Sequence, residues 1–121
     1  MYSETVKEYF ENPINLGTIE DADAIGIIKN ESCSDIIKIY IRVDKQSKSI
    51  IKDAKFEVKG CPPVIASWCA VTEMIKEMNI KKAKTLTADE IIKKLNGLPK
   101  EKEHCAELVI KTLKQTIENI N

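Results

Sequence analysis

Three short stretches of the chain place a cysteine beside a second side chain able to bind metal or shape its loop: Cys33-Ser34-Asp35, Gly60-Cys61-Pro62-Pro63 and His104-Cys105. Thiolate, imidazole and carboxylate are the ligand types of zinc and iron. The three cysteines lie 28 and 44 residues apart, so only the folded chain can bring them together. Structural zinc sites usually take ligands from tight pairs, C-x2-C or H-x3-H, which fix half the tetrahedron locally. No such pair occurs here. Ligands carried on separate segments make an open site, assembled late, that suits a cargo loaded and released better than an ion locked in. Against this stands the plain reading of three buried thiols acting as small hydrophobes. The turn-rich surroundings of Cys33 and Cys61 favour ligands.

The remaining candidates divide. His104 is the only histidine; beside Cys105 it is either a further ligand or a gate for protons and sulfur. Asp35 is a ligand or a turn-forming residue. Cys69, flanked by Trp68 and Ala70 within an apolar helix, reads as a core thiol.

Positioning these residues falls to a short list of elements. Residues 2–11 read as a helix with Ser3 as N-cap and Val6, Tyr9 and Phe10 on one side. Asn12-Pro13-Ile14-Asn15-Leu16-Gly17 ends it in turn residues. A first strand follows at 25–28. In the next, Ile37, Ile39, Ile41 and Val43 alternate with Lys38, Tyr40 and Arg42, the period of a half-buried strand. A third strand puts Ile50, Ala54, Phe56 and Val58 inward and Ile51 outward. Beyond Cys61 the chain turns helical. Residues 64–78 carry Val64, Trp68, Val71, Ile75 and Met78 on one stripe, opened by prolines that the first turn tolerates. Lys81-Lys82-Ala83-Lys84 reads as a loop. Thr87-Ala88-Asp89-Glu90 is a capping box for a helix stopping near Asn96-Gly97. A last helix, from about 100 to 120, turns Cys105, Leu108, Val109, Thr112, Leu113, Ile117 and Ile120 inward. The expected fold is α+β: a small antiparallel three-stranded sheet with helices packed on one face. Cys33 and Asp35 then fall in the first hairpin loop, Cys61 at a strand-to-helix turn, and His104 and Cys105 in the first turn of the last helix.

With 121 residues, 43% apolar and 31% charged, the chain has the length and balance of a single globular domain spanning 1–121. Nineteen basic residues cancel nineteen acidic ones, which argues against nucleic-acid binding by phosphate neutralisation. The apolar runs are too short for a membrane span, and Met1-Tyr2-Ser3-Glu4-Thr5 lacks the pattern of a secretory signal. A cytoplasmic protein with reduced thiols is expected, its four cysteines serving metal, chemistry or core and not two disulfides.

Over nearly its full length the chain resembles the IscU/NifU-type iron–sulfur cluster assembly scaffolds. The matching residues are Tyr2-Ser3-Glu4, the Glu11-Asn12-Pro13-Ile14-Asn15-Leu16-Gly17 run and Asp21-Ala22-Asp23-Ala24-Ile25-Gly26. Cys33-x-Asp35, Phe56-x-x-x-Gly60-Cys61, Ile65-Ala66-Ser67, Thr72-Glu73, Leu98-Pro99 and His104-Cys105 follow in the same order. The resemblance implies that Cys33, Cys61 and Cys105 hold a nascent, transient [2Fe–2S] cluster, with Asp35 or His104 completing the set, and that zinc fills the cluster-free site. It implies a cysteine desulfurase and apo iron–sulfur proteins as partners, and Cys105 as the persulfide acceptor, at a helix N-terminus that favours its thiolate. A hard carboxylate among soft ligands makes such a cluster transferable. The chain departs from the family at Ser34 (usually glycine), at Pro62-Pro63 (usually small residues) and at Cys69 (usually serine). Leu98-Pro99-Lys100-Glu101-Lys102 differs from the segment read by a dedicated Hsp70-type chaperone, which weakens the case for hand-off to one. The same residues admit an alternative, a zinc-bound persulfide carrier that stimulates a desulfurase without building a cluster.

Overall fold

Isoleucine repeats at every second residue dictate the centre of the sheet. In the computed structural model, which describes residues 2–30 and 35–120 and only the backbone of 29, 30 and 35, strand β2 (Asp35–Val43) lies between β1 (Ala24–Asn30) and β3 (Ile51–Val58). Both pairings are antiparallel, and Ile39 sits opposite Gly26 on one side and Phe56 on the other. Ile37, Ile39 and Ile41 are fully buried, as the alternation predicts. The third strand corrects it. A register shift between Arg42 and Val43 turns Ile51 into the core and leaves Ile50 half-buried, the reverse of the expected phase.

The edge of β3 is covered by the loop that follows helix α1 (Glu4–Glu11). Phe56 N–H donates to Asn15 O, and Gly17 N–H donates to Phe56 O, both at 2.9 Å. That return needs left-handed backbone at Asn15 (φ 61°) and Gly17 (φ 131°), which asparagine and glycine tolerate best. Asn15 also ties the loop to the next helix: its amide donates to Thr72 Oγ1 at 3.1 Å, and Lys76 Nζ donates to its Oδ1 at 2.5 Å.

Helix α2 (Pro62–Ile75) is the axis of the molecule. A one-sided stripe was expected, but burial runs nearly all the way round, through Val64, Ala66, Ser67, Trp68, Cys69, Ala70, Val71 and Thr72. The sheet takes one side, where Trp68 stacks on Phe56 with ring centroids 6.2 Å apart. Helices α1 and α5 (Glu103–Glu118) take the others. Burial of side chains this size contributes about 1.5–3 kcal/mol each. The helix stops at Lys76, whose backbone is extended, and Glu77 follows at φ 67°.

Short helices α3 (Ile80–Ala83) and α4 (Ala88–Lys94) fill the connection. The lysine-rich stretch expected as loop thus makes one helical turn, because Asn79 Oδ1 caps it through Lys81 N–H at 2.8 Å. The Thr87–Glu90 capping box is formed in both directions. At the other end Asn96 N–H reaches Lys93 O and Gly97 N–H reaches Ile92 O, a Schellman closure at positive φ. The last helix begins at Glu103 after a 3-10 turn at Lys100–Lys102, later than expected. In α1, Ser3 caps as predicted and Val6 is buried, but Phe10 faces solvent.

Candidate functional site

Antiparallel pairing fixes what meets at the cysteine-bearing end of the sheet. β1 and β2 pair out to Asn30 and Asp35, and β2 continues with Ile37 opposite Val58. Lys59 N–H then donates to Ile36 O at 3.4 Å. The start of β2 and the exit of β3 therefore share one end, and Gly60-Cys61 follow at once. Asp35 belongs to the strand and not, as expected, to the hairpin loop. Cys33 lies outside the described residues, and so does the side chain of Asp35.

Cys61 is the N-cap of α2, half-buried, in extended conformation (φ −78°, ψ 164°). Its carbonyl accepts from Val64 N–H at 3.1 Å and Ile65 N–H at 3.2 Å. The two positions before those are Pro62 and Pro63, which carry no N–H to satisfy. The first turn is thereby closed without the thiol, and Cys61 makes no side-chain cap hydrogen bond. The prolines do for this helix what a capping side chain does elsewhere, and they leave the sulfur for other use.

Helix α5 begins in a comparable way. Its N-cap, Lys102, makes no side-chain cap hydrogen bond, and His104 and Cys105 occupy the second and third helical positions. Cys105 is 3% exposed on the core side, whereas His104 faces solvent. His104 Nε2 lies 3.8 Å from Cys105 Sγ. By contrast α1, α3 and α4 are each capped by a side chain, Ser3, Asn79 and Thr87. Among the described residues, the α-helices without such caps are α2, which follows Cys61 directly, and α5, which carries Cys105 in its first turn; the 3-10 turn at Lys100–Lys102 is likewise uncapped by a side chain. An uncapped N-terminus favours a neighbouring anion such as a thiolate or sulfide.

The described residues alone do not gather three or more metal-ligating side chains in one place. The structure brings His104 to Cys105, and the start of β2 to the end that carries Cys61. Cys69 stands apart: it is fully buried, and its thiol donates weakly to Tyr9 O and Ile14 O at 3.8 and 3.7 Å. Burial pushes that thiol up from its ordinary value, and the nearby Glu73 charge adds to the shift. It is a core residue, as the sequence indicated.

One polar cluster escaped the sequence reading. Tyr9 Oη donates to Glu73 Oε1 at 3.0 Å, and Lys94 Nζ meets the same oxygen at 2.9 Å, so α1, α2 and α4 share one carboxylate. Lys94 holds the Glu73 carboxyl below its ordinary value. Burial, with the hydrogen bond to Glu73, raises the Tyr9 hydroxyl. The cluster borders a cleft of about 390 Å³ lined by Thr5, Glu8, Tyr9, Asn12, Ile14 and Glu73. No local spacing announces it, since its members are 64 and 21 residues apart.

The family model described as "NifU-like N terminal domain" matches residues 1–121. A protein of Archaeoglobus fulgidus named iron-sulfur cluster assembly scaffold protein IscU 1 is 43% identical over 117 residues, covering 97% of this chain and 74% of its own. A scaffold protein IscU of Aquifex aeolicus is 37% identical over 118 residues, covering 98% and 74%. Among solved structures, a putative iron-sulfur cluster assembly scaffold protein for the SUF system from Fervidobacterium islandicum superposes with TM-score 0.73 at 27% identity, covering 96% of both chains.

Proposed function

The chain belongs to the family of NifU-like N-terminal domains, and on that footing we propose how its residues serve it. It is an iron–sulfur cluster assembly scaffold, as its relatives are named. The whole of 1–121 acts as one scaffold domain, and the cluster is cargo. The thiolates of Cys33, Cys61 and Cys105 take up iron and sulfide as a [2Fe–2S] cluster, and Asp35 or His104 supplies the remaining ligand. Sulfur arrives from a cysteine desulfurase: the Cys105 thiolate attacks the outer sulfur of the desulfurase persulfide, and the desulfurase thiolate leaves. That sulfur then becomes sulfide by reduction, with ferrous iron and an external reductant supplying the electrons. Release delivers the cluster to apo iron–sulfur proteins in the cytoplasm.

What carries the reading is the state of Cys61. Its sulfur is only half-buried, it caps nothing, and it heads a helix whose prolines have already closed the first turn. A thiol with a purely structural duty has no need of that arrangement. The names of the relatives favour this scaffold over the zinc-bound persulfide carrier. Zinc fits the same ligand types in the cluster-free protein.

The test is anaerobic incubation of the protein with ferrous iron, cysteine and a cysteine desulfurase. Sulfide-to-iron charge-transfer absorption is expected for the wild type and its loss for Cys61→Ser and Cys105→Ser. Full absorption in either variant, at unchanged melting temperature, would remove that residue from the ligand set. No absorption from the wild type would return the persulfide carrier to first place.

A further inference from the structure

Alone among the described α-helices, α2 opens with prolines at its first two positions. Proline disfavours helical backbone at the residue before it, so Pro62 holds Cys61 in the extended conformation it shows (φ −78°, ψ 164°) and stops the helix from growing back over it. A capping side chain takes the N–H of the second or third helical residue. Here the second is Pro63, which has none, and the third is Val64, whose N–H goes to Cys61 O, as does that of Ile65. The first turn of α2 therefore has no backbone donor left for the sulfur at its head. The turn is also fixed in place: Pro63 is buried, and the hydroxyl of buried Ser67 donates to Pro63 O at 2.6 Å. Helix α5 is the opposite case, since Glu103, His104 and Cys105 all carry N–H groups.

We propose that Pro62 and Pro63 are positioning residues for the Cys61 thiol: Pro62 keeps its residue out of the helix, and Pro63 keeps its sulfur out of the cap. Two competing arrangements are closed off in this way. Without Pro62, helical backbone becomes accessible to Cys61 with Gly60 as the new cap, which swings the side chain onto the flank of the helix. Without Pro63, an N–H appears where a capping sulfur accepts it. A thiol held as it is here takes up metal without first leaving a helical conformer or giving up a hydrogen bond, and it returns to the same place after release. The two cysteine-bearing helices then treat sulfur differently: α5 offers N–H groups and α2 offers none. The inference rests on the scaffold reading for its cargo, but the action of the prolines on Cys61 belongs to the cluster-free chain.

Pro62→Ala and Pro63→Ala test the two actions separately, in the cluster-free protein. By nuclear magnetic resonance, the backbone chemical shifts of Cys61 should be those of extended chain in the wild type and move toward helical values in Pro62→Ala. In Pro63→Ala the new amide at 63 should exchange with solvent at least about twofold more slowly than when Cys61→Ala is added, the effect of one weak hydrogen bond. Zinc affinity, read anaerobically by competition with a coloured chelator, should fall about two- to fivefold in Pro62→Ala, the range that a proline's restriction of accessible conformations supports. A general loss of stability moves neither the Cys61 shifts nor the dependence of the amide at 63 on the thiol. Unchanged Cys61 shifts in Pro62→Ala would overturn the role of Pro62, and protection at 63 that survives Cys61→Ala would overturn that of Pro63. Zinc affinity equal in wild type and Pro62→Ala, or no zinc binding by the wild type, would overturn the placing of the thiol for metal. Failure to build a cluster, with the shifts, exchange and zinc results as expected, would remove the scaffold reading and leave this one standing.

Discussion

A methyl group added to Gly26 would lie 1.9 Å from Thr116 Oγ1, and 3.0 Å from the Cγ2 of Ile39. Helix α5 rests on β1 at this point because β1 has no side chain there. Thr116 is buried, and its hydroxyl donates back to Thr112 O at 2.8 Å. Neither contact partner has a flexible end to move away. Gly26→Ala should therefore destabilise by about 1–3 kcal/mol, the usual cost of overpacking. Thr116→Ala in the same chain should restore part of the loss; Thr116 Cβ, 3.1 Å from the new methyl, limits the rescue. Urea melts of the two single variants and the double variant check this. Additive losses would show that the two positions do not meet.

Glu73 ties three helices together, and its contribution follows pH. Lys94 and the Tyr9 hydroxyl hold its carboxyl below the ordinary value of 4.5. The unfolded chain therefore binds this proton more readily than the folded protein does. The stabilisation is present in full above the unfolded value and disappears as pH falls through the folded one. The Glu73 side chain is 48% exposed, so solvent screens it and about 0.5 kcal/mol is expected. Glu73→Gln should lower stability at pH 7 by that amount and converge with the wild type toward pH 3. A constant gap across the range would mean that packing, not charge, sets the effect.

Local rules explain what the sequence made legible. Period-two isoleucines placed β2, and the Thr87–Glu90 spacing placed a capping box that is formed. The cysteines were expected at element ends, and Cys61 and Cys105 lie at the starts of α2 and α5. What stayed hidden depends on partners far along the chain. The shift at Arg42 that turns Ile51 inward leaves no local mark. The all-round burial of α2 was read as a stripe because periodicity reports one apolar face and not how many neighbours surround a helix. Phe10 looked inward beside Val6 and Tyr9, yet α1 buries only Val6 fully. The Asn15 and Gly17 backbone carried a signal, two residues that tolerate positive φ, but not what their turn would cover.

Cys69 should be chemically silent while the protein is folded. It is fully buried, its thiol points at two backbone carbonyls, and burial raises its pKa. Only the thiolate reacts quickly, so both exposure and ionisation work against it. With iodoacetamide at pH 8, Cys61 should be alkylated at least about a hundredfold faster than Cys69, with Cys69 reacting through opening of the fold. Site-resolved peptide mass spectrometry over time reads both rates. Equal rates in native buffer, and a rise only for Cys61 in urea, would contradict the assignment of Cys69 to the core.

The place of Asp35 makes a further prediction about cluster release. Asp35 opens β2 directly opposite Asn30, two residues before the fully buried Ile37, so its backbone is anchored in the sheet. In the proposed site its carboxylate is the hard donor among thiolates, and hard oxygen holds an iron–sulfur cluster less firmly than sulfur or imidazole does. Asp35→Ala removes that donor and leaves the cluster to three thiolates and His104, whose ring is already 3.8 Å from Cys105. Cluster loss to a chelator, followed by decay of the visible absorption, should then slow by about tenfold, equivalent to roughly 1.4 kcal/mol on the barrier. Adding His104→Ala to Asp35→Ala should reverse the gain, because no fourth protein ligand of the proposed set remains. Faster loss in Asp35→Ala alone would make the carboxylate a holding ligand. A double variant as slow as the single one would exclude the imidazole from the cluster.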